Sequence, residues 1–208
     1  MFHPINLENW DRKKIYTAFD GYTYTLTAEL DVTEFLQTLK EKQRKFYPSI
    51  CYCIARTVNK NQNYRYAKVS GEVGYWDQVQ AHYTVLRKNT DHLFTHQRTL
   101  YTEDFSDFYN RFLEDKEKAE NGDSLYFDKS GAMDNVHISI MPNTSFTGLS
   151  YSKPASFTKY GTPGNHSPKK ASQIIAIPIS RITTPITVRR VLLIFSYRGS
   201  YIHFSTTL

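Results

Sequence analysis

The sequence predicts a two-layer α/β domain, in which a mixed β-sheet is covered by helices. Segments with alternating apolar and polar residues, the period of a half-buried strand, come in runs between segments whose apolar residues recur every three or four positions, the period of an amphipathic helix. With 208 residues, of which 40% are hydrophobic and 15% aromatic, the chain is long enough to bury one continuous core. We therefore expect a single domain over residues 1–208.

The first part of the chain contains a strand between helices. Asp11 can cap a short helix over residues 12–18, and apolar residues then alternate with mostly threonine over residues 22–30, which predicts a strand. Thr33 begins an amphipathic helix, and Pro48 opens another that extends to about Asn59. We expect these two helices to cover the sheet.

The middle of the chain returns to strands. Turn residues between aromatic residues over residues 64–76 predict a hairpin, and residues 82–86 predict the next strand. Residues 104–120 have the spacing of a helix, which Gly122 ends. Residues 136–141 alternate again, and a turn and a further strand are expected up to residue 151.

The last 43 residues differ in composition from the body. Residues 166–208 contain six Lys or Arg and no Asp or Glu, whereas residues 1–165 contain 20 of each sign. The net charge of +6 therefore lies entirely in this tail, so it does not indicate a nucleic-acid partner for the body. The tail contains two apolar β-like runs, at residues 174–182 and 191–197, and is expected to be atypical from about His166.

Targeting signals are not visible in the sequence. Residues 1–10 do not have the pattern of a signal peptide, and no window approaches eighteen uninterrupted apolar residues. We expect a cytoplasmic protein with neither a membrane nor a nucleic acid as its partner. The two cysteines, Cys51 and Cys53, lie two apart in a predicted helix, where their side chains point in different directions, so we expect two small buried residues and no metal site.

Several short sequence blocks occur in a characteristic order along about four-fifths of the chain. They are Asn9-Trp10-Asp11-Arg12, Leu30-Asp31-Val32-Thr33, Lys45-Phe46-Tyr47-Pro48, Tyr64-Arg65, Trp76-Asp77, Tyr83-Thr84-Val85, residues 135–142 with Ser139, and Ser145-Phe146. In this order and spacing they resemble the chloramphenicol O-acetyltransferase family, from Met1 to about residue 165.

The resemblance implies a trimer with active sites at subunit boundaries, and an acyltransferase activity that confers antibiotic resistance. The transferase moves an acetyl group from acetyl-coenzyme A, its co-substrate, to the 3-hydroxyl of chloramphenicol, without a metal. In the family, a histidine of a His-His-x-x-x-Asp-Gly motif near the C-terminus is the general base that removes the hydroxyl proton.

The resemblance also assigns site residues. Ser139 would stabilise the oxyanion that forms on the acetyl carbonyl, and Arg12 would pair with the aspartate of the histidine motif and steady the site. Phe19, Tyr24, Leu93 and Phe127 fall near positions that form the apolar acceptor pocket. The family's usual tryptophan after Pro142 is replaced by Asn143.

The histidine motif itself is absent. The seven histidines stand at positions 3, 82, 92, 96, 137, 166 and 203, and none forms a His-His pair or precedes Asp-Gly. Where the motif is expected, the chain reads Arg181-Ile182-Thr183-Thr184-Pro185. Codons for residues 182–185 can read His-His-Ala two bases later, so a frame-shifted tail is one explanation and genuine divergence is the other. His166 or His203 could also replace the base.

We therefore predict a family member that is inactive or impaired because its general base is missing. Two other functions stay open. The chain could be a non-catalytic binding protein that uses its acceptor pocket or basic tail, or an acetyltransferase for another small acceptor.

Overall fold

The computed structural model describes residues 1–18, 23–88, 93–122, 133–142, 173–179 and 190–198. Within these ranges the chain forms nine strands and four α-helices. The strands are β1 (Phe2–Pro4), β2 (Thr23–Asp31), β3 (Tyr66–Val69), β4 (Glu72–Trp76), β5 (Gln80–Leu86), β6 (Phe94–Thr99), β7 (Asn135–Pro142), β8 (Gln173–Ile179) and β9 (Arg190–Arg198). The helices are α1 (Lys13–Ala18), α2 (Thr33–Glu41), α3 (Phe46–Lys60) and α4 (Phe105–Glu120).

The described strands form two sheets. The larger sheet has the order β2-β9-β8-β7-β5-β6, and the smaller sheet has the order β1-β4-β3. β7 runs parallel to β5 and β8, while the other described pairs of the larger sheet are antiparallel. This mixed sheet, covered by helices, confirms the predicted α/β fold class.

The core lies between the larger sheet and helices α3 and α4. The rings of Tyr83 on β5 and Phe112 on α4 stack with centroids 4.1 Å apart. The ring centroid of Tyr47 on α3 lies 5.7 Å from that of Tyr83 and 5.3 Å from that of Phe112. Burying each such side chain contributes roughly 1.5–3 kcal/mol to stability. None of the helices in the described part of the chain is long and apolar enough to cross a membrane.

Most predicted elements are present within one or two residues of their expected bounds. Asp104 caps α4 by accepting a hydrogen bond from the backbone N–H of Asp107 at 2.8 Å. β6 was not predicted from the sequence, because the residues that it buries are polar: Thr95, Gln97 and Thr99. The strand expected to continue from Pro142 to residue 151 lies outside the described residues.

The tail supplies two strands to the interior of the larger sheet. β8 and β9 coincide with the two apolar runs of the tail and lie between β7 and β2. Ser139 of β7 pairs with Ala176 of β8 in parallel register, and Ile194 of β9 pairs with Ala176 in antiparallel register. The tail is therefore part of the sheet that carries Ser139, whatever the origin of its sequence.

The two cysteines differ in their surroundings. Cys51 is fully buried in the core, whereas Cys53 is exposed. The prediction of two buried cysteines is wrong for Cys53, because two helical positions two residues apart face nearly opposite directions and only one of them faces the sheet.

Candidate functional site

Ser139 lies on the face of the larger sheet that points away from the helices. On the same strand, β7, Val136 and Ile138 are 1% and 2% exposed and pack into the core. Because side chains alternate along a strand, His137 and Ser139 face the other way. The same alternation holds on β5, where Ala81, Tyr83 and Val85 are buried. We call this side of the larger sheet the outer face.

Three histidines lie together on the outer face, one on each of strands β5, β6 and β7. The ring of His82 is centred 4.4 Å from that of His137 in an edge-to-face contact, and 5.2 Å from that of His96 with nearly parallel planes. The strand register supports these contacts, since His82 is directly paired with His137. Thr84, two residues after His82 on the same face of β5, is paired with His96, so His82 and His96 are diagonal neighbours. We call these three side chains the imidazole row.

The row is bounded by apolar residues at one end. Phe94 contacts His96 with ring centroids 5.5 Å apart, and Leu93, Phe94 and Leu86 are 52%, 49% and 59% exposed. Leu93, which was predicted to line the acceptor pocket, precedes β6 directly and is exposed. Burial lowers the pKa of His96, so its imidazole favours the neutral form.

On β6, on the other side of His96 from Phe94, lies a charged residue, Arg98, which pairs with His82 in the strand register. Arg98 donates through Nη2 to both carboxylate oxygens of Asp134 at 2.9 and 2.8 Å, and through Nε to Asn135 Oδ1 at 2.9 Å. These hydrogen bonds fix the start of β7 against β6, and β7 carries Ser139.

Arg12 contacts a different part of the molecule. Its Nη1 donates to Asn63 Oδ1 at 2.9 Å, just beyond the end of α3. The last turn of α3 is itself held to the start of β5, because the Asn59 amide bonds both the N–H and the carbonyl of Val79 at 2.8 Å. Arg12 is thus held by an asparagine, while the aspartate that the family motif would supply is missing from the sequence.

The side chains of the remaining predicted pocket residues lie outside the described part of the structure. Phe19 and Phe127 lie outside the described residues, as does the side chain of Tyr24, whose backbone belongs to β2. Among the predicted site residues, the structure therefore describes the side chains of Ser139, Leu93 and Arg12.

A metal centre is not formed by the described part of the chain. No group of three or more His, Cys, Asp or Glu side chains there has an arrangement suited to a metal ion, and the imidazole row is no exception. The chemistry available on the outer face is that of a hydroxyl donor and of imidazoles that accept or release protons.

The imidazole row was not found by sequence reasoning. The i, i+2 spacing of His137 and Ser139 in a strand could have placed these two side chains on one face. The contacts of His82 with His137 and His96 depend on strand pairing between residues 55 and 14 positions apart, which the sequence alone does not display.

Comparison with solved structures defines the fold first. The chain superposes on a chloramphenicol acetyltransferase with a TM-score of 0.73 and 21% identity, covering 95% of this chain and 89% of that one. It superposes on a dihydrolipoamide acetyltransferase from Azotobacter vinelandii with a TM-score of 0.53 and 14% identity, covering 88% and 75%. The fold is that of these acetyltransferases.

The family follows from sequence. The model of the chloramphenicol acetyltransferase family matches residues 1–177, so the chain belongs to that family, as the sequence blocks predicted. A chloramphenicol acetyltransferase of Staphylococcus aureus is 35% identical over 152 residues, which are 71% of this chain and 69% of the relative. One of Escherichia coli is 33% identical over 152 residues, with 71% and 68% covered.

Proposed function

We propose that the chain transfers an acetyl group from acetyl-coenzyme A to a hydroxyl of chloramphenicol, at a rate reduced by the loss of the histidine motif. The observation that carries this proposal is the position of Ser139 on the outer face of β7, within a chain of this family. The relatives from Staphylococcus aureus and Escherichia coli are chloramphenicol acetyltransferases.

Ser139 would act when the acceptor oxygen attacks the thioester carbonyl. Negative charge then collects on the former carbonyl oxygen, and the Ser139 hydroxyl would donate a hydrogen bond to it. One such preorganised donor lowers the barrier by about 3 kcal/mol. In the Azotobacter vinelandii acetyltransferase, a serine, a histidine and an asparagine have been investigated for roles in the catalytic mechanism.

The reduction in rate follows from the missing base. Without the motif's histidine to take the proton from the acceptor hydroxyl, the attacking oxygen is a poorer nucleophile, and general-base catalysis typically contributes 10²–10⁴-fold. Arg12, whose aspartate partner in the motif is missing, donates instead to Asn63 and would support the fold at the end of α3. Leu93, with Phe19, Tyr24 and Phe127, would supply apolar area for the aromatic acceptor.

The proposal extends to the organisation of the protein. We propose a single acetyltransferase-like domain over residues 1–208 that forms a cytoplasmic homotrimer, with residues 166–208 as an atypical tail. Reading the encoding DNA in all three frames across residues 160–208 tests the tail. An intact His-His-x-x-x-Asp-Gly in another frame would assign the tail to a frame shift, and its absence would assign it to divergence.

The experiment measures release of free coenzyme A thiol from acetyl-coenzyme A, with and without chloramphenicol, and identifies the acetylated product by mass spectrometry. We expect slow, chloramphenicol-dependent release that falls at least 10-fold in Ser139→Ala. Ser106→Ala, on the exposed surface of α4, is the matched control and should retain the full rate. Chloramphenicol binding without acetylation would favour a non-catalytic binding protein. Acetyl transfer to a different small acceptor would favour an acetyltransferase for that acceptor.

A further inference from the structure

The three histidines of the imidazole row lie on the same sheet face as Ser139, and the proposed reaction lacks a proton acceptor. Of the four other histidines, His3 lies in the smaller sheet, where its Nε2 contacts Asp77 Oδ1 at 2.5 Å. The histidines at positions 92, 166 and 203 lie outside the described residues. The row is thus the group of imidazoles that the described structure brings to the outer face.

We propose that His137 receives the proton of the acceptor hydroxyl and that His82 holds the His137 ring in position. This inference rests on the proposed acetyl transfer. It replaces the absent motif with a proton acceptor that comes from β7 itself, two residues before Ser139.

The spacing along β7 fits the two roles. Two residues on one face of a strand are about 6.6 Å apart. In acetyl transfer the attacking oxygen and the carbonyl oxygen are bonded to the same carbon. The base lies within about 3 Å of the attacking oxygen, and the oxyanion donor lies within about 3 Å of the carbonyl oxygen. The base and the donor are therefore within several ångströms of each other. His137 and Ser139 have the same strand, the same face and that separation.

The packing of the row supports distinct roles for its members. His82 contacts both other imidazoles, at 4.4 and 5.2 Å, so it is the central ring and its edge-to-face contact restricts the orientation of His137. His96 is packed between His82 and Phe94 and is the ring farther from β7. His137 is the member whose own strand carries the serine.

A ring nitrogen of His137 takes the hydroxyl proton as the acceptor oxygen forms a bond to the acetyl carbonyl carbon, and Ser139 donates to the resulting oxyanion. The intermediate then collapses, the carbon–sulfur bond breaks, and the imidazolium returns its proton to the coenzyme A thiolate. The products are the acetyl ester and free coenzyme A.

The test uses the full chain and compares His137→Asn and His137→Gln with His82→Asn and with His3→Asn as the control. Far-UV circular dichroism and melting temperature establish that each variant is folded. We expect kcat for chloramphenicol acetylation to fall at least 10-fold in both His137 variants, with little change in KM, and to fall less in His82→Asn. His3→Asn should keep the rate of the unsubstituted chain.

Chemical rescue separates a proton-transfer role from a structural one. Added imidazole should raise the rate of His137→Gly in proportion to its concentration and leave the unsubstituted chain unaffected. Turnover that persists in folded His137→Asn and His137→Gln would overturn this inference and leave the proposed function intact. Absence of any acetyl transfer by the unsubstituted chain would overturn both.

Discussion

A hydrogen-bonded chain beneath the outer face makes a quantitative prediction about stability. Tyr83 OH lies 2.8 Å from Thr99 Oγ1, and the Thr99 hydroxyl donates to Asp115 Oδ2 at 2.8 Å. A hydroxyl has one proton to donate, so Thr99 must accept from Tyr83. Burial raises the pKa of Tyr83, which keeps its phenol protonated as the donor.

Tyr83→Phe removes the first hydrogen bond and keeps the ring, whose stacking on Phe112 at 4.1 Å is unaffected. The Thr99 oxygen loses one donor while Asp115 keeps its own, so the expected loss is about 1 kcal/mol. Thr99→Val removes both hydrogen bonds and leaves the buried phenol and the half-buried carboxylate without this partner. We expect a loss of about 3 kcal/mol for that variant.

The assay is urea unfolding, followed by tryptophan fluorescence and by far-UV circular dichroism. For a domain of this size, each 1 kcal/mol corresponds to roughly 2–4 °C in melting temperature. The double variant should lose about 1 kcal/mol less than the sum of the single losses, since Tyr83→Phe removes one of the groups that Thr99→Val leaves without a partner. Equal losses for the two single variants, or full additivity in the double variant, would refute the coupling of Tyr83, Thr99 and Asp115 through Thr99.

Three further predictions concern packing and charge. Gly74→Ala should destabilise by about 1–3 kcal/mol and release β1, measured by urea unfolding, because its Cβ would overlap the His3 carbonyl oxygen; unchanged stability would contradict the close approach. Burial raises the pKa of Asp115, so this group favours folding when protonated and its contribution falls as pH rises from about 4. Asp115→Asn should therefore flatten the loss of melting temperature above pH 4, and an unchanged pH profile would contradict this. Arg98→Gln should cost about 2 kcal/mol in urea unfolding because Asp134 loses its charged donor, whereas Arg98→Lys should cost less; equal losses would show that the paired geometry is unimportant.

The sequence determined the elements whose burial follows a simple period. α2, α3 and α4 have apolar residues every three or four positions, and β2 and β7 alternate, so local pattern alone indicated where they lie. It also carried the family, since the sequence blocks that resemble chloramphenicol acetyltransferases fall within residues 1–177, over which the family model matches. Apolar runs likewise predicted the two strands of the tail.

Tertiary structure decided what depends on strand pairing. β6 is a strand because it pairs with β5 and buries the polar side chains Thr95, Gln97 and Thr99, which no local pattern displays. Arg12 contacts Asn63, a partner 51 residues away that the resemblance did not suggest.

Ser139 and the imidazole row on the outer face differ in whether the sequence could predict them. The sequence block around Ser139 pointed to that residue directly. The imidazole row exists because parallel pairing of β5 with β7 and antiparallel pairing of β5 with β6 bring three distant histidines onto one face. Side-chain alternation is local and readable from sequence, whereas register between strands is set by the packing of the whole sheet.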